Sequence, residues 1–218
     1  MLSKKATVEV IEAMGDIFPD AHCELVHKNP FELLVAVMLS AQTTDAAVNK
    51  VTPDLFESYP TPESLMQAPL ESIMEKIKTI GLYRNKAKYI KGTAEKIVLN
   101  FDGEVPKTRE ELITLPGVGR KSANVVISVA FGISAIAVDT HVERVTKRLG
   151  ICAQHATVKE VEETLMKKLP AELWGKAHHR LIFFGRYQCP ARQHNHEACL
   201  ALLRAHMASP ELLDKAKK

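Results

Sequence analysis

The sequence predicts an all-α protein. Three observations carry that reading: apolar residues recur at helical spacing along most of the chain, no run alternates like a strand, and capping residues precede several apolar segments. With 218 residues, 46% of them hydrophobic and 25% charged, the chain can form one large domain or two small ones sharing a cleft. No apolar stretch is long enough to span a bilayer, and Met1-Leu2-Ser3-Lys4-Lys5 leads into mixed polar sequence without a signal-peptide core. Four cysteines, Cys23, Cys152, Cys189 and Cys199, do not suggest a disulfide scaffold, and a reducing cytosol is the simplest setting.

Asn29-Pro30 opens a helix well, because Asn can cap and Pro tolerates the first helical position. Residues 31–39 are nearly apolar all round, so they should form a buried central helix. Residues 40–43 read as a loop, Thr44 or Asp45 can cap the next helix, and 54–62 break the chain again. Residues 63–68 and 70–80 follow as helical stretches. From Lys76 to Lys96, seven basic residues stand against one acid, Glu95. Such a surplus either solvates a helix face or attracts phosphates.

Thr108-Arg109-Glu110-Glu111 fits a capping box, in which Thr108 and Glu111 satisfy each other's orphan N–H groups. Beyond it, Ala123, Val126, Ile127 and Ala130 form an apolar stripe that Gly132 should end. Asp139 is well placed to cap a helix ending near Leu149, and residues 157–168 and 171–184 supply further helices.

Two segments echo one another. Gly81-Leu82-Tyr83-Arg84-Asn85-Lys86-Ala87 resembles Gly117-Val118-Gly119-Arg120-Lys121-Ser122-Ala123, and both sit between helical stretches. The glycines of Leu115-Pro116-Gly117-Val118-Gly119 permit a tight reversal and let a phosphate approach the backbone. Free N–H groups at the start of the next helix then point at the anion. This is a helix-hairpin-helix, a sequence-independent grip on a DNA strand. Gly81 alone reads more simply as an αα-corner.

Lys121 falls in the first turn of the helix after the hairpin. A lysine amine is a good nucleophile only when neutral; a helix N-terminus, the adjacent Arg120 and burial would each disfavour its ammonium form. Taken alone, it reads as a surface lysine touching phosphate. Asp139, taken alone, is an N-cap. Paired with Lys121 across a deoxyribose, its carboxylate could stabilise positive charge as a base–sugar bond breaks, or help move a proton.

Together these residues resemble the endonuclease III family of helix-hairpin-helix DNA glycosylases. The similarity runs through Pro30-Phe31-Glu32-Leu33-Leu34, Leu39-Ser40-Ala41-Gln42-Thr43-Thr44-Asp45, Ile80-Gly81-Leu82-Tyr83, Gly103-Glu104-Val105-Pro106, the hairpin with Lys121, Val138-Asp139-Thr140-His141-Val142 and Gly185-Arg186-Tyr187. The resemblance implies two helical domains flanking a DNA-binding cleft: a six-helix barrel over residues 20–132, and a second domain made of 1–19 plus 133–218. It implies a bifunctional DNA glycosylase and AP lyase of base excision repair that flips an oxidised pyrimidine out of the duplex. Lys121 would displace the base through a Schiff base, and β-elimination would cut the strand 3′ to the lesion. Gln42 and Leu82 match the positions that fill the gap left by the flipped nucleotide, with Gly117, Val118, Gly119, Arg120 and His141 as further DNA contacts. The expected partner is double-stranded DNA carrying damaged pyrimidines or abasic sites, bound by a monomer in the cytoplasm at the nucleoid.

Most members of that family end in Cys-x6-Cys-x2-Cys-x5-Cys, whose thiolates hold a [4Fe–4S] cluster. Here Cys189 and Cys199 match the first and third ligands, while His196 and Ala205 occupy the other two positions. Two thiolates are too few for that ligation, so the sequence leads us to expect no cluster and no metal. The alternative is zinc at Cys189, His196, Cys199 and His206, with His194 nearby. Rival readings of the whole chain are an adenine-mismatch or alkylated-base glycosylase of the same superfamily, and a non-catalytic helix-hairpin-helix DNA-binding protein.

Overall fold

The structure is a computed structural model and describes residues 1–217. Among these residues are twelve α-helices and no strand. The first eight are α1 (Lys4–Ile17), α2 (Pro30–Leu39), α3 (Asp45–Ser58), α4 (Pro62–Gln67), α5 (Leu70–Ile77), α6 (Tyr83–Asn100), α7 (Arg109–Leu112) and α8 (Arg120–Phe131). The last four are α9 (Thr140–Arg148), α10 (Val158–Lys168), α11 (Trp174–Tyr187) and α12 (His196–His206), with 3-10 turns at Ala171–Leu173 and Pro210–Lys217. Backbone contacts divide the chain into two compact units, Cys23–Ile133 and Met1–His22 with Ser134–Lys218. No described helix is long and apolar enough to cross a membrane.

The unit Cys23–Ile133 is built on α2, which packs against α3, α6 and α8. The Asn29 side chain accepts the Glu32 N–H at 2.9 Å, while the Glu32 carboxylate accepts the Lys28 N–H at 2.7 Å. That exchange explains how a carboxylate can be buried in a helix otherwise apolar on every side. Full burial of each leucine there contributes on the order of 1.5–3 kcal/mol. Thr44, rather than Asp45, caps α3.

The expected break at 54–62 is too early. Helix α3 continues through Pro53 to Ser58, because Val48, Val51 and Leu55 hold one buried face that outweighs the lost N–H. The chain breaks only at Tyr59-Pro60, before Thr61 and Ser64 form a reciprocal cap on α4. Helix α5 ends at Ile77, three residues short of the expected stretch. Only half of the box at Thr108 forms: its hydroxyl accepts the Glu111 N–H but is itself bonded to the Glu111 carboxylate. The helix that follows is a single turn.

Part of the basic run at 76–96 is internal bracing. Lys91 donates to the carbonyls of Met66 and Ala68, which close α4, and Lys96 donates to that of Thr114. Lys76 pairs with Asp54, Lys78 with Glu75, and Lys86 is buried. Lys91 and Lys96 thus satisfy carbonyls near helix ends, while Arg84 and Lys88 stay exposed.

In the other unit, α1 packs on α10, α11 and α12, and α9 on α10 and α11. Val10, Ile11, Met14, Val142, Val145, Leu181, Phe184 and Leu203 form its core. Thr157 and Glu160 make a full capping box on α10. The expected helix over 171–184 starts with a 3-10 turn and runs on to Tyr187. Helix α12, capped by the Asn195 side chain on the Ala198 N–H, was not read from the sequence.

Candidate functional site

The hairpin between α7 and α8 reverses at Gly117, whose φ of 76° lies in the left-handed region. A Cβ there would also stand 2.9 Å from the Tyr89 ring, so both backbone and packing demand glycine. Gly119 is different. Its backbone is extended (φ −96°, ψ 175°) and a Cβ would meet nothing within 4 Å. Val118 between them is buried and anchors the turn. Helix α8 therefore begins behind a bare glycine that offers no side-chain cap. Lys121 lies in this first turn and is exposed. The burial expected to help free its amine is absent in the unbound chain.

Gln42 and Leu82 belong to the same unit. Gln42 is exposed in a turn closed by the Thr43 N–H on the Ser40 carbonyl, with φ 55°. Leu82 stands at the start of α6 with φ 57° and is 59% exposed. The sequence echo between the hairpins is thus not a backbone echo. The left-handed residue of the first hairpin is Leu82, one position later than its counterpart Gly117 in the second. A left-handed leucine costs roughly 1–2 kcal/mol, and an exposed leucine recovers little by packing.

Asp139 and His141 lie in the other unit. Asp139 caps α9, its Oδ1 accepting the N–H groups of His141 at 2.9 Å and Val142 at 2.8 Å. Its Oδ2 stands 3.3 Å from Nδ1 of His141. Burial pushes this carboxyl up. The hydrogen bonds from His141 and Val142 and the nearby His178 outweigh burial, holding it well below the usual carboxylate range.

The same unit holds a group of soft donors. Nδ1 of His194 lies 3.6 Å from Sγ of Cys189 and 3.7 Å from Sγ of Cys199. One ligand atom from each of the three residues falls within 4.8 Å of the others. The turn at Gln193, φ 53°, swings His194 rather than His196 into the group. His206 is exposed and bonded to the Leu202 carbonyl. Burial and the adjacent Cys189 push the Cys199 thiol up to about 11, so it keeps its proton at neutral pH unless a cation displaces it. Arg148 holds this segment through the carbonyls of Pro190 and Ala191, and Arg144 through those of Gly185 and Cys189. The segment is therefore tied to α9, the helix that Asp139 caps.

A separate cavity of about 370 Å³ is lined by Glu63, Asp102 and Glu104 among others. Three carboxylates repel phosphate, so it is no place for a DNA strand.

The family of HhH-GPD superfamily base excision DNA repair proteins matches residues 35–171. Endonuclease III of Bacillus subtilis (strain 168) is 60% identical over 192 residues, 88% of each chain. Endonuclease III of Escherichia coli (strain K12) is 44% identical over 199 residues, 91% of this chain and 94% of that one. Among solved structures, an endonuclease III trapped as a covalent intermediate with DNA, in an estranged-adenine complex, has a TM-score of 0.89 at 55% identity, covering 97% of this chain and 98% of that one. A non-covalent endonuclease III–DNA complex also has a TM-score of 0.89, at 53% identity and full coverage of both chains.

These findings correct the expectation of no metal. The relatives belong to the family whose resemblance implies an iron–sulfur cluster in this segment, and the segment gathers three donors. Two thiols and an imidazole suit a thiophilic metal such as iron or zinc, which Cys189, His194 and Cys199 would hold. The sequence offered both His194 and His196 as candidate ligands, and the turn at Gln193 decides that His194 is the imidazole facing the thiols. Elemental analysis of purified protein should find stoichiometric iron or zinc, and Cys199→Ser should lower it severalfold. Metal-free wild-type protein would contradict the correction. With residues 35–171 matched and 60% identity over 88% of its length, the chain belongs to the HhH-GPD superfamily of base excision DNA repair proteins, in its endonuclease III branch of DNA glycosylase/AP lyases.

Proposed function

We propose that the chain excises oxidised pyrimidines and then cuts the strand, with Lys121 as nucleophile and Asp139 as the ionised carboxylate that steadies the reacting sugar. The observation that carries this reading is an exposed primary amine in the first turn of α8, directly behind a glycine turn that supplies no side-chain cap. Phosphates flanking the lesion would approach the backbone at Gly117, Val118, Gly119 and Arg120, at the positive end of the α8 dipole. Bound DNA would then supply the desolvation that the free chain lacks at Lys121.

The amine attacks the anomeric carbon and the base leaves with its electron pair. Ring opening gives an imine between Lys121 and the sugar. Loss of a proton from the sugar's C2′ then expels the 3′ phosphate. A carboxylate held as low as Asp139 is a weak base, so its contribution is electrostatic rather than proton transfer. His141 would orient Asp139 through the contact at 3.3 Å and face the DNA backbone. Gln42 would fill the gap opposite the estranged base while Leu82 wedges the stack open.

We infer that the barrel-like domain of the family corresponds to Cys23–Ile133, with the remaining segments as the second helical domain. A DNA substrate places the protein at the nucleoid in the cytoplasm. The test is borohydride capture on a duplex with a single abasic site, which should give a covalent complex of protein and DNA.

The two hairpin glycines should separate folding from binding. Gly117→Ala is expected to lose roughly 1–2 kcal/mol of stability from its left-handed backbone, with more from the Tyr89 clash. Gly119→Ser adds an N-cap hydroxyl where the chain has open space, so its melting temperature should hold or rise slightly. Its affinity for abasic duplex should nevertheless fall about tenfold, because the new side chain stands where phosphate approaches. Unchanged affinity would show that the hairpin does not bind DNA.

A further inference from the structure

Lys86 is 6% exposed, whereas Lys91 and Lys96 of the same helix reach backbone carbonyls and Lys88 is exposed. Its ammonium donates to the Thr43 hydroxyl at 2.6 Å, 43 residues earlier in the chain. Its backbone N–H donates to the Leu82 carbonyl at 3.0 Å, closing the first turn of α6. One residue is therefore bonded to the neighbour of Gln42 and to Leu82 itself. Both of these exposed side chains sit on left-handed backbone at costly angles, φ 55° and φ 57°. Such conformations persist only where surrounding contacts hold them. Thr43 is itself fixed by its N–H on the Ser40 carbonyl, so a bond to its hydroxyl restrains the turn carrying Gln42. A buried ammonium is expensive to maintain, and an apolar side chain of similar length would pack in its place.

We propose that Lys86 is a positioning residue that joins the Gln42 turn to the Leu82 turn, holding the two inserting side chains at the separation a flipped nucleotide requires. Each element has few contacts of its own: Gln42 sits in a four-residue turn, and Leu82 begins a helix without a side-chain cap. Without the link, both turns sample other backbone angles before DNA arrives. Insertion then costs ordering that the wild-type chain has already met. The effect falls on extrusion of the damaged nucleotide and leaves the chemistry at Lys121 alone. The inference rests on Gln42 and Leu82 acting as the inserting pair.

The experiment compares Lys86→Met, Thr43→Val and Thr43→Ser on two substrates. One is a duplex with an oxidised pyrimidine; the other is a single strand with an abasic site, which needs no extrusion. Lys86→Met and Thr43→Val should each slow excision from the duplex about tenfold. Both should form borohydride adducts with the abasic single strand within twofold of wild type. Thr43→Ser keeps the acceptor oxygen and should restore duplex excision. The double variant should be no worse than either single one, since both remove the same bond. Equal losses on both substrates, or no loss on the duplex, would overturn the positioning role. Thr43→Val keeps the test decisive if Lys86→Met folds poorly. Gln42→Ala and Leu82→Ala separate the two layers. If neither slows duplex excision, the inserting pair is wrong and the positioning role falls with it. If both slow it while Lys86→Met does not, only the positioning role falls.

Discussion

Lys121→Gln should eliminate the borohydride-trapped complex and reduce strand cutting at an abasic site by at least roughly 10³-fold. Glutamine stays polar but is one bond shorter, and its amide nitrogen shares its electron pair with the carbonyl, so it cannot form an imine. Lys121 is exposed at the start of α8, and its removal disturbs no packed neighbour, so the melting temperature should stay within a degree or two. Lys121→Arg sharpens the result. Guanidinium retains the positive charge beside the phosphates and is not a nucleophile at neutral pH. Affinity for abasic duplex should therefore survive in the arginine variant while trapping is lost. A trapped complex in either variant would mean that another amine carries the chemistry. Loss of affinity as large as the loss of trapping would reduce Lys121 to a phosphate contact.

The second large effect is expected at Asp139, where two roles must be separated. Asparagine caps helices about as well as aspartate, so Asp139→Asn should leave α9 intact while deleting the charge. Excision and strand cutting are expected to fall roughly 10²-fold, in line with the loss of one preorganised electrostatic contact. Asp139→Ala should lose similar activity and, in addition, about 1 kcal/mol of stability with the cap. The pH dependence has a definite sign. The folded carboxyl lies below its unfolded value, so its stabilisation is fully present above the ordinary carboxylate range near pH 4. It is lost as pH falls through the lowered folded value. Unfolding free energies of wild type and Asp139→Asn should therefore differ by a constant gap from pH 7 to about pH 4 and converge only as pH falls below that. A gap that stays constant below about pH 4 would show that the carboxylate is not stabilised in the native state. Asp139→Asn with full activity would leave Asp139 a cap and nothing more.

The helical plan was legible because its signals are local. Asn29, Thr44 and Asp139 each stand one residue before a helix and accept an N–H two or three positions on, as their short polar side chains dictate. Gly132 takes the left-handed angle that ends α8. Where a distant surface intervened, local reading failed. The break expected at 54–62 came only after Ser58, because Val48 and Leu55 are fully buried and hold α3 together through Pro53. The basic run at 76–96 looked like one electrostatic feature, yet Lys91 and Lys96 reach carbonyls 25 and 18 residues away.

By itself the sequence determined the all-helical class, the caps at Asn29, Thr44 and Asp139, and the hairpin with a lysine in the first turn behind two glycines. These follow from backbone sterics and hydrogen bonds spanning at most four residues, which a one-dimensional pattern contains in full. Tertiary structure alone decided that Leu82 rather than Gly81 turns left-handed, that His194 rather than His196 faces Cys189 and Cys199, and that Lys86 is buried against Thr43. In each case the outcome depends on what lies across space from the residue. Side chains brought together by folding compete there for the same volume and the same hydrogen bonds, and that competition has no fixed spacing along the chain.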